Sequence, residues 1–512
     1  MRYPSFMRDR LLGAAGTDDG NATRRILGGA FWNLLGRGLP LIVALVLTPP
    51  LVSALGIERW GLFTLALGLV GMFGVFDLGV GAALTRTIAD RIGRGEREGE
   101  GALIASALVF LLAVSAALAA GLWGAVPWLI GQALAVPPAL QAEAIAGFRA
   151  LAAAAPLVVA NAALWGVLAA HGRFRAANLA TMPVAVLYYL GPLLVLAVWD
   201  SLAGVMLALV GARLLNTLSY LWLTRDLVPL AAFRRTRLVA VVPLLRLGGW
   251  LSLSGVLTQA SLYLDRFLIG AFLSLAAVAF YATPLDLAMR LWILPVAVAQ
   301  ALMPALASSF RARAEETARL TRRAVLLVGA LVLPGSIVLS GGAETLLRLW
   351  LGPAFAEGGA TVLRILAVGI LFSCASFAPG SLLEAIGRPD VTARLQVLVA
   401  LASIPLLLLL LRLGGIEGAA LAWALRCAGE WAGRTVLAAR LYPAAARGLR
   451  VCAAPLVASG TALGLAPAVA GAGQAALLAL SVLLFAAFGL RALEAEERAA
   501  LRRPMHLLRT MR

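Results

Sequence analysis

The chain has 512 residues, 62% of them hydrophobic and 13% charged, with a mean hydropathy of +0.93 and a formal charge of +18. This composition excludes a water-soluble globular protein, in which about a quarter of the residues are charged. It also argues against a nucleic-acid binder, because the 43 basic residues, all Arg, sit mostly in short connectors between long apolar runs.

The first apolar run covers 27–55, turns at Gly56-Ile57-Glu58-Arg59, and continues as a second run over 60–85. Each exceeds the ~20 residues that span a bilayer as helix, so the pair predicts a transmembrane hairpin. The first run is too long for a signal peptide and is expected to stay as a helix. Twelve further spans follow at 101–130, 144–170, 179–199, 202–224, 241–273, 275–308, 324–341, 360–386, 394–413, 416–440, 451–470 and 473–491. The fold class is therefore an all-α integral membrane protein of about fourteen transmembrane helices.

Arg placement supports that count. With the N-terminus inside, the cytoplasmic segments and their rims hold thirty-two Arg, and the opposite side holds Arg59, Arg348 and Arg412. Such an excess of positive charge marks the cytoplasmic face, so both termini are expected inside. The predicted organisation is a cytoplasmic segment at 1–26, an N-lobe of six spans at 27–224, a basic linker at 225–240, a C-lobe of six spans at 241–441, two extra spans within 451–491, and a basic tail at 492–512. No outer connector is long; the longest runs from Gly341 to Gly359.

The first hairpin has a loose echo about 220 residues on. Leu27-Gly28-Gly29 returns as Leu247-Gly248-Gly249, and the corner before Trp60 returns before Phe280. Six spans is an even number, so two such copies share one orientation. They are expected to form side-by-side bundles about an axis along the membrane normal, with a cleft between the first, second, seventh and eighth helices.

Cys374, Cys427 and Cys452 all lie in apolar runs, with neither disulfide nor metal spacing. His171 and His506 fall in polar connectors, where solvation is the simplest expectation. No HExxH, GxSxG, P-loop or acidic metal cluster is present, which argues against an enzyme.

Eight Arg remain inside spans: Arg37, Arg149, Arg213, Arg266, Arg290, Arg364, Arg426 and Arg434. Charge at membrane depth is costly and usually faces protein or water. Arg149 and Arg364 lie near outer helix ends, where snorkelling accounts for them. Arg290 follows Asp286 by four residues, so the two are expected on one helix face, either as a structural pair or as a functional one. Arg426, Glu430 and Arg434 also recur every four residues. Asp265 and Arg266 are adjacent, ~100° apart on a helix, so at least one should face a cavity. Asp77 and Arg86 flank the bend Gly79-Val80-Gly81, where helix-end anchoring is the simpler reading.

Guanidinium binds phosphate in a bidentate manner and stays charged at any depth. Arg37, Arg213, Arg266 and Arg290 are therefore candidates to hold an anionic substrate. Asp77, Asp265 and Asp286 are candidates for gating or ion coupling, with Arg86, Arg426, Glu430 and Arg434 as secondary candidates.

The stretches LTPPLVSALGIERWGLF (Leu47 to Phe63), FDLGVGAALTR (Phe76 to Arg86) and YLDRFLIGAFLSLAAVAFYATPLDLAMR (Tyr263 to Arg290) resemble the Wzx-type O-antigen flippases of the multidrug/oligosaccharidyl-lipid/polysaccharide superfamily. The resemblance implies two six-helix bundles forming a V around a cationic cavity, with the last two helices added. It implies movement of an undecaprenyl-pyrophosphate-linked oligosaccharide from the inner to the outer leaflet of the cytoplasmic membrane by alternating access, often coupled to H⁺ or Na⁺. The partners it implies are that substrate, membrane lipids and other polysaccharide-assembly proteins, with no nucleic acid and no further cofactor. Three alternatives carry their own signatures. A lipid II flippase shares the architecture, a drug exporter would bring cationic substrates, and a polysaccharide polymerase or ligase would need a large outer loop or catalytic pair.

Overall fold

In the computed structural model the described residues are 40–466, 469 and 471–492; the side chains of 75, 230 and 247–261 are not described. Among these residues the chain is helical and has no strand. In chain order the helices are α1 Pro40–Leu55, α2 Ile57–Met72, α3 Val80–Arg94, α4 Glu100–Trp128, α5 Pro138–Ala153, α6 Ala155–Ala170, α7 Phe174–Leu196 and α8 Leu202–Thr224. There follow α9 Leu230–Phe233, α10 Val242–Phe272, α11 Leu275–Met289, α12 Ile293–Ser309, α13 Ala314–Gly341, α14 Ala343–Leu351, α15 Pro353–Ala375, α16 Phe377–Ala385, α17 Pro389–Leu441, α18 Pro443–Leu465 and α19 Ala472–Ala492.

Ten helical stretches among the described residues are long and apolar enough to cross a membrane. Large apolar side chains that a soluble protein would bury stand open, Leu398 at 67% and Leu483 at 64% exposure. With lipid as solvent, every backbone polar group must be satisfied within the segment, and helix does this. α17 is two helices joined at a kink, where Gly414 (φ −134°) and Gly415 (φ 56°) leave helical geometry. The left-handed φ of Gly415 suits a residue without Cβ, and it falls where the sequence separates 394–413 from 416–440. The connector after Gly341 is not bare loop but holds the amphipathic helix α14.

Two helices break at equivalent places. α2 passes into a 3₁₀ turn at Phe73–Asp77, and α11 passes into one at Arg290–Trp292 before α12. Both breaks follow a hairpin corner, which gives the loose sequence echo a structural counterpart. A 3₁₀ stretch within a helix often marks a hinge.

By contact the chain forms two compact units, which do not follow the halves read from sequence. One takes the described parts of Met1–Ala54, Phe73–Pro127 and Gln141–Gly255, and the other those of Leu55–Met72, Trp128–Leu140 and Val256–Arg512. In the first unit, Val80, Leu84 and Ile88 of α3 pack with Ile104 and Leu111 of α4 and Val159 and Val167 of α6. α7 pairs with α8, where the Tyr220 and Thr181 hydroxyls meet at 2.5 Å. The linker is tied down: the Arg237 amide donates to Ser106 Oγ at 3.0 Å.

In the second unit α2 lies along α11. A Cβ at Gly61 would sit 2.1 Å from the Leu275 carbonyl oxygen, so only glycine permits this approach. The Trp60 indole N–H donates to Thr283 Oγ1 beside it, at 2.8 Å. Close backbone packing at small residues is the main glue between helices in lipid. It is the physical reason that α2 joins this unit and not the one its sequence position suggests. α11, α13 and α17 pack around α15, while α18 and α19 pack on each other and on α13.

Candidate functional site

The second unit holds most of the intramembrane charge. Asp265 and Arg266 are neighbours on α10, and their side chains diverge. Arg266, 4% exposed, pairs with Asp286 of α11, Nη2 to Oδ1 at 2.5 Å and Nη1 to Oδ2 at 3.4 Å. Its guanidinium also lies over the Tyr263 ring, 5.4 Å from the centroid. Asp265 turns the other way. Its Oδ2 accepts from the Tyr281 hydroxyl of α11 at 2.5 Å, and its Oδ1 accepts from the Arg266 amide at 2.8 Å. Both acid groups are thus satisfied across the α10–α11 hairpin, which is what buried charge requires.

On α17, Glu430 and Arg434 form an ion pair one turn apart, and Arg434 Nη1 donates to Ser376 Oγ at 3.5 Å. Glu430 and Arg434 line a cavity of about 220 Å³ with Arg426, Gln396, Ser373 and Ser376. Trp292 closes part of its wall and donates its indole N–H to Ser373 Oγ at 3.0 Å. A smaller cavity, about 60 Å³, has Asp265, Tyr281 and Arg426 on its polar side and Leu264, Ile404 and Trp423 among its apolar walls. Arg426 and Ala400 border both cavities.

The remaining sequence candidates are dispersed. Arg290 follows the end of α11 as the first residue of the 3₁₀ turn, and among the described residues no ion pair joins it to Asp286. Asp286 spends its charge on Arg266 instead. In the first unit, Asp77 Oδ1 accepts from the Gly81 amide at 2.9 Å and so anchors the start of α3. Arg86 is exposed on α3. Arg213 stacks on Tyr188, 4.9 Å from the ring centroid. Arg37 lies outside the described residues, as does His506. Arg149 lies over Trp123 at 5.4 Å, and Arg364 is 3.9 Å from Glu344.

His171 is not solvated as its connector suggested. Its Nε2 lies 2.7 Å from Glu100 Oε1, and each side chain is only 9% exposed. Nearby, Arg173 binds Asp226 through both guanidinium nitrogens and donates to the Leu223 carbonyl at 3.0 Å. That contact holds the Asp226 carboxyl below its ordinary range. A depressed carboxyl stabilises above its unfolded pKa, ~3.9, and loses that contribution as pH falls through its folded value. The tie is therefore complete at neutral pH.

Sequence reasoning missed Tyr281, Trp292, Gln396, Ser373 and Ser376. Each is an ordinary residue in an apolar run, and only tertiary packing shows what it faces. The three cysteines are buried and free, and no group of His, Cys, Asp or Glu among the described residues could hold a metal.

A helical multi-pass chain with balanced charge buried inside its bundle has the build of a membrane transporter. Solved structures share that fold. An inward-facing multidrug resistance MATE family transporter of the MOP superfamily superposes with a TM-score of 0.69 at 17% identity, covering 80% of this chain and 96% of that one. The lipid II flippase MurJ, in an inward closed conformation, superposes at 0.65 and 12% identity, covering 90% and 98%. A Shigella flexneri protein provisionally named an O-antigen transporter is 25% identical over 424 residues, 78% of this chain and 94% of its own. Residues 26–310 match the family described as polysaccharide biosynthesis protein. The chain belongs to that family.

Proposed function

We propose that this protein moves an undecaprenyl-pyrophosphate-linked oligosaccharide from the inner to the outer leaflet of the bacterial cytoplasmic membrane, by alternating access and with both termini cytoplasmic. The observation that carries the reading is the family match over residues 26–310, in a chain whose charged cluster is enclosed by membrane-length helices. Three arginines of the second unit, Arg266, Arg426 and Arg434, stand among three carboxylates, Asp265, Asp286 and Glu430. This set suits a substrate with a compact anion and a polar sugar. An inside-negative potential favours outward movement of each negative charge by ~2.3 kcal/mol per 100 mV across the full field. Coupling to H⁺ or Na⁺ belongs to the same proposal, with Asp265, beside a cavity, the carboxylate best placed to take part.

The test is surface polysaccharide in cells lacking the gene. Surface polymer should disappear while its lipid-linked precursor accumulates on the inner leaflet, and the intact gene should restore both. A deletion that leaves surface polysaccharide unchanged contradicts the proposal. A deletion that leaves complete precursor on the outer leaflet points to a later step instead.

A further inference from the structure

His171 and Glu100 lie in the first unit, and no step proposed above uses them. His171 follows the last residue of α6, and Glu100 is the first residue of α4. Each side chain is only 9% exposed. The two ring nitrogens of His171 have different neighbours. Nδ1 lies 2.9 Å from the Val167 carbonyl oxygen, which can only accept, so Nδ1 carries a hydrogen. Nε2 lies 2.7 Å from Glu100 Oε1. In a neutral ring with its hydrogen on Nδ1, Nε2 bears a lone pair, and a lone pair that close to a carboxylate oxygen is repelled. The contact therefore needs one more proton, on Nε2 or on the carboxyl. Oε1 has no aligned hydrogen-bond donor among the described residues, which makes this a contact of charge.

The surroundings place that proton on the ring. A helix favours a cation at its C-terminal end and an anion at its N-terminal end, and His171 and Glu100 hold those places on α6 and α4. Asp226, just past α8, is near enough for its charge to act with His171, and the cation Arg173 is spent on Asp226. α3, which packs on α6, ends in Arg91 and Arg94, and among the described residues no ion pair or hydrogen bond joins either to the pair. Glu96, Arg97, Glu98, Arg175 and Arg225 are exposed. We propose that His171 and Glu100 form a proton-binding site that clasps the start of α4 to the end of α6. The protonated state makes the contact, so the clasp is complete on the acid side and opens as pH rises and the proton leaves. Asp226, held in its ionised form by Arg173, does not supply this dependence near neutrality. The clasp is independent of what the protein exports.

The experiment uses the full-length protein in lipid bilayers between about pH 5.5 and 8.5, either side of the ordinary imidazole value of ~6.5. The chain has two histidines, so labelling histidine ring nitrogens with ¹⁵N gives two sets of signals, and His171→Gln identifies them. Both nitrogens of His171 should be protonated at the acid end, and at the alkaline end the hydrogen should remain on Nδ1. Backbone hydrogen exchange over 101–106, corrected for the intrinsic rate, should show protection falling at least about fivefold across the range, within the limit of about tenfold per pH unit for one linked proton. Glu100→Gln should give protection that is high and level, because a carboxamide N–H can donate to the unprotonated Nε2. His171→Phe should give protection that is low and level, and Asp226→Asn should keep the pH dependence. A His171 ring that does not titrate in this range, or that carries its hydrogen on Nε2 when neutral, overturns the site. Level protection in the wild type, or the same pH dependence in Glu100→Gln, overturns the clasp.

Discussion

Arg266 is neutralised by a carboxylate twenty residues further on, so removing that carboxylate alone should be worse than removing both charges. Asp286→Asn strands a buried guanidinium, a loss of about 3–5 kcal/mol when both partners are buried. Asp286 is itself 40% exposed, which places this case toward the lower end. Arg266→Met combined with Asp286→Leu should recover much of that loss, read as thermal midpoint and membrane abundance. A double variant no more stable than Asp286→Asn contradicts the pairing. Tyr281→Phe should lower stability by about 1–3 kcal/mol, because it leaves a buried oxygen of Asp265 without its donor; an unchanged melting curve removes that hydrogen bond from the account. The existence of intramembrane charge was legible in the sequence, and so was the Glu430–Arg434 pair one turn apart, but the pairing between helices was not. Helical spacing reports neighbours three or four positions apart, so it offered Arg290 as the partner of Asp286. The actual partner, Arg266, lies on the preceding helix. His171 and Glu100 met for the same reason, through packing that no local pattern encodes.

Among the elements, α2 and α11 make the most demanding contact. Gly61→Ala places a methyl carbon 2.1 Å from the Leu275 carbonyl oxygen. The helices must separate, and the Trp60–Thr283 hydrogen bond must lengthen with them. The expected result is a clearly lower thermal midpoint. Gly93→Ala in α3 is the matched control, since nothing lies within 4 Å of its Cβ position. It should be neutral or stabilise by about 0.5–1 kcal/mol, the usual helix preference for Ala over Gly. Equal effects of the two substitutions contradict the close approach. Hydropathy located these elements well, including the break at Trp199 to Ser201 and the kink at Gly414–Gly415. It read 60–85 as one span with a bend at Gly79-Val80-Gly81, and did not find the 3₁₀ turn Phe73–Asp77 just before that bend. It also missed α14, whose nine residues are too few to register as a span.

At the scale of the whole molecule, the helical membrane fold followed from composition and span length, since lipid leaves a chain of this hydropathy few other solutions. Family membership was legible in the stretches around Leu47 to Phe63 and Tyr263 to Arg290. Division into compact units was not, because α2 packs away from its sequence neighbours. Arg asymmetry still makes a definite prediction for topology. Reporter fusions after Leu140 and Gly358 should read outside, and those after Arg94 and Arg235 inside; a cytoplasmic signal at Leu140 contradicts fourteen spans with both ends inside. The central claim, movement without chemistry, is tested most directly in proteoliposomes. A fluorescent undecaprenyl-pyrophosphate-linked oligosaccharide is placed in one leaflet, and an impermeant quencher follows its appearance in the other. The protein should equilibrate the label between leaflets and leave the lipid-linked sugar covalently unchanged. Label that stays in the loaded leaflet of vesicles holding folded protein, or label recovered as a longer, cleaved or transferred product, contradicts it.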